Sequence, residues 1–262
     1  MANVYSFQVA SYNCRGLNST KIAYIQSLLK TSTVLFIQEH WLSVDQLKLI
    51  GDIDVNFVYI GVSGFDNSDI LTGRPYGGCA ILWKSDLEAR VEILSVNSKR
   101  ICAIRMISDS FRFLFINVYM PYEGGEDMTN DFTDQLLTVE ELVNSNRDCH
   151  VIMGGDFNVD LSRDRLHTEL LNSFCVNLGL HALMRHNRCT IDYSYNFNMD
   201  RFKVLDHFLL SSTVFENLID CAYAVHDADN TSDHDPIIMK LLVNSNYAGF
   251  GDRSYSPHIS WS

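Results

Sequence analysis

Residues 150–160 read HVIMGGDFNVD: an apolar run, two glycines, then Asp156, Asn158 and Asp160 at alternate positions. Val151 to Met153, bounded by turn-forming residues, reads as a buried strand. Asp156 and Asn158 then stand just past its carboxyl end. Gly-Gly-Asp-Phe-Asn can also form a plain turn, because Asp and Asn side chains bond their own backbone. What raises the stretch above that reading is recurrence. A strand-like Val4–Tyr12 runs into Asn13 in SYNCRGL, and Val34–Ile37 runs into Glu39 in LFIQEHW. Phe111–Tyr119 ends INVYMP, with Tyr119 before Pro121. KVLDHFLLS carries Asp206 and His207 inside a strand, and NTSDHDPI places Ser232, Asp233, His234 and Asp235 before the last strand. Strand carboxyl ends along one edge of an α/β sheet are where ligands bind, so these six segments can converge on one cleft.

Outward from that stretch, further strands are expected at Phe57–Ile60, Cys79–Trp83, Ile101–Ile107, Val204–Leu210 and Ile237–Leu242. Helical periodicity appears in Ile22, Ile25, Leu28 and Leu29, in Phe132, Leu136, Val139 and Val143, and in Leu166, Leu170, Phe174 and Leu178. Strands outnumber helices, and several neighbours have no room for a crossover helix, so antiparallel pairs are expected. The fold class is α/β: two mixed, largely antiparallel β-sheets packed face to face and flanked by helices, a four-layer α/β/β/α sandwich.

The chain has 262 residues, enough for one large domain, and is 47% hydrophobic and 20% charged, which excludes a disordered or disulfide-knotted class. Residues 3–243 are expected to form the domain, and 244–262, rich in Gly, Ser and Asn without periodicity, to form a tail or the start of a linker. Seven cysteines, an odd number without C-x-x-C spacing, read as reduced thiols of an intracellular protein. No secretory signal or membrane span is visible. The net charge of −12 argues against broad coating of nucleic acid, which needs Lys and Arg on phosphates. It leaves room for carboxylates that hold a cation.

The ordered series Asn13, Glu39, Tyr119, Asp156–Asn158, Asp206 and Asp233–His234 resembles the endonuclease/exonuclease/phosphatase superfamily from residue 4 to 242. Within it, YNCRGLNS, LFIQEHWL, GRPYGGCAILW, INVYMPYEG and HVIMGGDFNVD look most like the apurinic-like endonuclease domain of LINE-type (non-long-terminal-repeat) retrotransposons. The resemblance implies a hydrolase dependent on Mg²⁺, or Mn²⁺, acting on double-stranded DNA. It implies nuclear action, a monomer and a reverse transcriptase covalently linked in a longer polyprotein. One departure is Arg15, where repair members often carry an acidic residue; it would lean on a DNA phosphate or pair with a neighbouring carboxylate.

Phosphodiester hydrolysis needs an activated water, charge stabilisation and help for the leaving oxygen. Asp156, aided by Asn158, is the candidate to orient or deprotonate water. His234 supplies a base whose orienter is the adjacent Asp233 or, by resemblance, Asp206; the sequence leaves this open. Glu39 is a hard oxygen ligand suited to Mg²⁺, with Asp233 reaching towards the metal. Asn13, Asn158 and Tyr119 are expected to donate to the phosphate. RHNRCTIDYSYNFNMDRFK, residues 185–203, is the most basic stretch with interleaved aromatics. Thr190 matches the family's Thr in this region, and 192–199 matches its variable hairpin. That hairpin is expected to press on DNA through Tyr193, Tyr195 and Asn196, with Arg185, Arg188 and Arg201 on phosphates. The six histidines at 40, 150, 167, 181, 186 and 226 read as surface or satisfied residues. Competing readings are a lipid, inositol or nucleotide phosphodiesterase of the same superfamily, or a domesticated, non-catalytic DNA-binding domain.

Overall fold

The structure, a computed structural model, describes residues 4–65, 75–197 and 201–244. In chain order, β1 (Val4–Asn13), α1 (Ser19–Leu29), β2 (Val34–Gln38), α2 (Lys48–Gly51), β3 (Phe57–Val62) and β4 (Cys79–Lys84) come first. Next are β5 (Arg90–Leu94), β6 (Ile101–Ile107), β7 (Arg112–Tyr119), α3 (Glu126–Ser145), β8 (His150–Asp156), α4 (Leu166–Leu178) and β9 (Leu180–Ala182). A small ribbon of β10 (Tyr195–Phe197) and β11 (Arg201–Lys203) precedes β12 (Asp206–Ser211), α5 (Ser212–Asn217), β13 (Ile219–Ala224) and β14 (Ile237–Asn244).

One six-stranded sheet has the order β13-β14-β1-β2-β4-β3 and the other β5-β6-β7-β8-β12-β9. Each contains one parallel pair, β1 with β2 through α1 and β7 with β8 through α3, and all other pairings within the sheets are antiparallel. The two inner faces meet in a core that includes Phe7, Val9, Phe36, Ile81, Ile104, Phe115, Phe208 and Leu241. Ile25, Leu28 and Leu29 of α1 cover the outer face of the first sheet. Phe132, Leu136 and Val139 of α3, with Leu171 and Phe174 of α4, cover the second. The expected four layers are present. The helical faces inferred from periodicity lie in these layers except for Leu166, which is exposed at the start of α4; Asn18 caps α1, accepting from the Lys21 amide at 3.0 Å, and left-handed Gly179 ends α4.

The sequence reading missed three strands in the sheets. β5 is a half-exposed edge strand and β9 only three residues long, while β13 carries a register shift between Ile219 and Cys221 that blurs its alternation. Asp206 opens β12 rather than lying inside it. The expected tail lies outside the described residues apart from Asn244, and so does the tip of the 192–199 hairpin beyond Phe197.

Just beneath the strand ends, a polar weld joins the two sheets. Gln38 of β2 donates through Nε2 to Asn117 Oδ1 of β7 at 2.7 Å and to Ser11 Oγ at 3.0 Å. Asn117 Nδ2 in turn donates to the carbonyls of Ile37 at 2.9 Å and Ala80 at 2.8 Å. All five residues are buried. Leu in place of Asn117 keeps the branched outline, adds bulk, and leaves Gln38 and two buried carbonyls short of a partner. Such a change should cost about 3 kcal/mol, read as a lower urea midpoint at unchanged denaturant slope.

Candidate active site

The two parallel pairs bring four carboxyl ends to one edge, carrying Asn13, Glu39, Tyr119 and Asp156. The antiparallel neighbours β12 and β14 reach the same edge at their amino ends, which is why Asp206 and the loop carrying His234 arrive there. Asp206 sits opposite Asp156 in the β12–β8 register. The glycines before Asp156 are needed for this approach. Gly155 has φ +143°, and a Cβ there would meet Val118 O of β7 at 2.0 Å. The result is an open, polar cleft of about 470 Å³ with Glu39, Asp156, Asn158, Tyr195, Asp233 and His234 among its walls.

At its floor, Asn13 Nδ2 donates to Glu39 Oε1 at 3.1 Å and to Asp156 Oδ2 at 2.9 Å, joining carboxylates from the two sheets. Glu39 Oε2 also accepts from Trp41 Nε1 at 2.9 Å. Asp156 Oδ1 accepts from the Asn158 amide at 2.9 Å. His234 Nδ1 lies 2.8 Å from Asp206 Oδ2, and its Nε2 lies 3.9 Å from Asp156 Oδ2. Geometry thus makes Asp206, not Asp233, the partner of the imidazole. Ser232 Oγ donates to Asn13 O at 2.8 Å and fastens the His234 loop to the end of β1.

Burial pushes the Asp156 carboxyl up to about 7, with Asp206 adding to the rise and His234 opposing it. Burial by itself would lower His234, but the Asp206 and Asp156 carboxylates outweigh it and hold the imidazole up at about 10. Desolvation also raises the Tyr119 phenol, helped by the charges of Glu39 and Asp156. Asp156, Asp206 and His234 offer ligand atoms within 4.8 Å of one another. Yet the last two already form a hydrogen-bonded pair with a cationic ring, which suits proton chemistry better than metal binding. The oxygens of Glu39 and Asp156, facing the cleft, fit a hard divalent cation.

Asn13 and Asn158 depart from the donor role expected of them. Both hydrogens of the Asn13 amide are taken by carboxylates, and Asn158 Nδ2 donates to Met120 O at 2.9 Å. Asp233, expected towards a metal, pairs instead with Arg15 at 2.8 Å. The basic stretch divides. Tyr195 packs edge-on against the His234 ring at 4.9 Å, and the Asn196 amide donates to Asp233 O at 2.8 Å. Arg188 is instead spent on Ile219 O at 2.6 Å, Arg185 on Asn172 at 2.9 Å and Thr190 on Ala222 O at 3.2 Å. Tyr193 stacks on His226 at 4.0 Å; none of these four lines the cleft. For Arg201 only the backbone, in β11, is described.

Sequence reasoning missed Trp41, whose indole fixes Glu39, and Arg163, Arg165 and His167 on the cleft wall. An indole two residues past a motif Glu reads as core, and the wall residues become visible only once β8 and α4 are placed.

The family model described as Endonuclease/Exonuclease/phosphatase family matches residues 10–234, and the chain belongs to that family. No curated protein sequence matches the chain. Among solved structures it is similar to an AP endonuclease from Leishmania major, at 16% identity and TM-score 0.71, covering 90% of this chain and 87% of that one. The endonuclease domain of TRAS1, a telomere-specific non-LTR retrotransposon, aligns at 14% identity and TM-score 0.67, covering 90% and 98%. A mannosyl-6-phosphatase from Bacteroides thetaiotaomicron aligns at 21% and 0.61, covering 90% and 99%. At these identities the likeness is one of fold. The family makes the chain a phosphodiesterase or phosphatase, and divalent-metal dependence is general in it. No helix among the described residues is long and apolar enough to cross a membrane.

Because Asp206 holds the His234 ring charged, the wild-type imidazole should stay protonated across neutral pH in chelator-treated protein. A histidine raised on folding adds stability that is full below about pH 6.5 and is lost as pH climbs through its folded value. Asp206→Asn should drop the ring's titration towards or below its ordinary range, read from the imidazole carbon and proton shifts by NMR. A His234 titration that stays where it was in the Asn variant would show that Asp206 does not set its charge.

Proposed function

We propose that the chain is a Mg²⁺-dependent DNA endonuclease that nicks one strand and leaves a 3′-hydroxyl to prime reverse transcription at the target. The observation that carries the reading is the buried Asp156, set beside an Asp206–His234 pair and bridged by Asn13 to the open carboxylate of Glu39. A carboxylate fixed at the cleft floor is placed to take a proton from an attacking water. The water oxygen bonds phosphorus, its proton passes to Asp156, and the P–O3′ bond breaks as the 3′ oxygen takes up a proton. His234, cationic and fixed by Asp206, donates from Nε2 to a phosphoryl oxygen as charge develops there. Asn13 and Trp41 hold Glu39 in place and so act as positioning residues. A divalent cation bound at Glu39 and Asp156 would supply Lewis-acid stabilisation of the phosphoryl charge, Mn²⁺ substituting for Mg²⁺.

On this reading residues 3–243 are the catalytic domain of a monomer acting on duplex DNA in the nucleus. Residues 244–262 then lead towards a covalently linked reverse transcriptase. The retrotransposon-type motifs and the fold shared with two nucleic-acid enzymes support DNA as substrate. The fold shared with a sugar phosphatase makes a phosphomonoester the competing substrate.

Supercoiled plasmid separates the two. Wild type should nick it with Mg²⁺ and not with EDTA, leaving ends that a polymerase extends directly. Asp156→Ala and His234→Ala should each lower the rate about a hundredfold or more. Hydrolysis of a phosphomonoester without nicking would replace the endonuclease with a phosphatase.

A further inference from the structure

The cations of this acidic chain are, for the most part, spent internally. Arg90 and Arg105 pair with Glu92, Arg105 and Arg112 with Asp148, and Arg100 with Asp131. Arg185 and Arg188, in the stretch that looked most suited to DNA, bond an amide and a carbonyl. Among arginines whose side chains are described, only the Arg165 side chain has neither a hydrogen bond nor an ion pair to a described residue, and it stands on the cleft wall. Lys203, which lines the same cleft from a different element, is likewise without a side-chain partner among the described residues. Arg163 joins them, held only through Nε to Asp160 at 3.0 Å, which leaves its terminal nitrogens for a ligand.

The backbone that carries these groups is held in place. Lys203 ends β11, and the ribbon is fastened to the catalytic loop by Asn196 N to Asp233 O at 2.8 Å and Asp235 N to Ser194 O at 2.7 Å. Ser194 Oγ accepts from the amides of Leu205 and Asp206 at 3.0 Å, tying the same ribbon to the strand that holds His234. On the facing side, Arg163 N donates to Asp160 O at 3.0 Å, closing a turn that ends at Arg165, the N-cap of α4. His167, in the first turn of α4, is 1% exposed, lines the cleft and has a buried Nδ1 without a partner. Glu123, whose carboxylate accepts from the Leu166 amide at 3.1 Å, and Asp160 work against an anion here by their charge. Asp160 takes only the Nε of Arg163, so the terminal nitrogens of Arg163, the Arg165 guanidinium and the Lys203 ammonium remain for a ligand.

The geometry points to a second phosphate subsite, formed by Arg163, Arg165 and Lys203, that takes a backbone phosphodiester of the nucleic-acid strand next to the one being cut. It rests on the endonuclease reading and adds what that reading lacks, a reason for a polynucleotide rather than a small phosphate ester. Cations carried on fixed backbone neutralise phosphates and release counterions, so their share of binding appears in the salt dependence.

The test measures duplex DNA binding in EDTA, where no cutting occurs, by fluorescence anisotropy across a salt series. It uses wild type, Arg165→Gln/Lys203→Gln, and Lys48→Gln/Lys84→Gln as a control of equal charge change away from the cleft. The cleft variant should lower the slope of log affinity against log salt by about one to two and weaken binding about tenfold at moderate salt. The control should match wild type. A cleft variant that keeps the wild-type thermal midpoint, affinity and slope overturns the subsite while leaving the endonuclease reading intact. Wild type that neither binds nor nicks duplex DNA overturns both.

Discussion

Two carboxylates from different sheets meet across one amide. Glu39 follows β2 of the first sheet and Asp156 ends β8 of the second, and like charges at such a junction repel unless a donor stands between them. Asn13 Nδ2 is that donor, bonding both. Much of the surrounding structure keeps this amide in place. The Gln38–Asn117 weld sets the spacing of the sheets one layer below. Ser232 bonds the carbonyl of Asn13 and Arg15 N returns to its Oδ1 at 3.1 Å, so backbone and side chain are fixed together.

The topology explains why one edge gathers everything. A parallel pair sends both carboxyl ends the same way, and face-to-face packing of two such pairs concentrates four polar ends around one seam. Antiparallel β12 and β14 then add residues from the opposite end of a strand. Asp206 is buried at 1% exposure and His234 at 6% because the cleft floor is also the rim of a hydrophobic core. In that setting the Asp206 and Asp156 carboxylates hold the His234 ring protonated against a burial that alone would lower it.

Much of this was legible in the sequence. The two-sheet class followed from runs whose alternation survived in the structure, and polar residues at the ends of those runs named the floor of the cleft. The side chains' actual partners were not legible. Asn13 looks like a phosphate donor until two carboxylates are seen to consume its hydrogens. Arg188 looks like a DNA contact until β13 brings Ile219 O within 2.6 Å. A basic stretch counts charges, but a phosphate meets only those cations that no carboxylate or carbonyl has taken. Arg165 carries no such signal, since one arginine in a polar loop resembles any other.

Backbone strain follows the same logic. Among the described residues, four non-glycines adopt left-handed backbone: Arg15 at φ +49°, Glu39 at +54°, Trp41 at +59° and Asn158 at +52°. All stand at the cleft or, for Trp41, bond a residue in it. Each costs of the order of 1 kcal/mol or more in isolation, so the local bonds must outweigh it. Glu39 N donates to Gly78 O at 2.8 Å, Trp41 N to Gly77 O at 3.0 Å and Gly16 N to Glu39 O at 2.7 Å, lacing the turns after β1 and β2 together. Glycine would relieve the strain but would remove the carboxylate, the indole and the guanidinium that the site uses. The chain therefore keeps functional side chains where the backbone favours glycine, and a dense mesh of main-chain bonds makes those conformations tolerable.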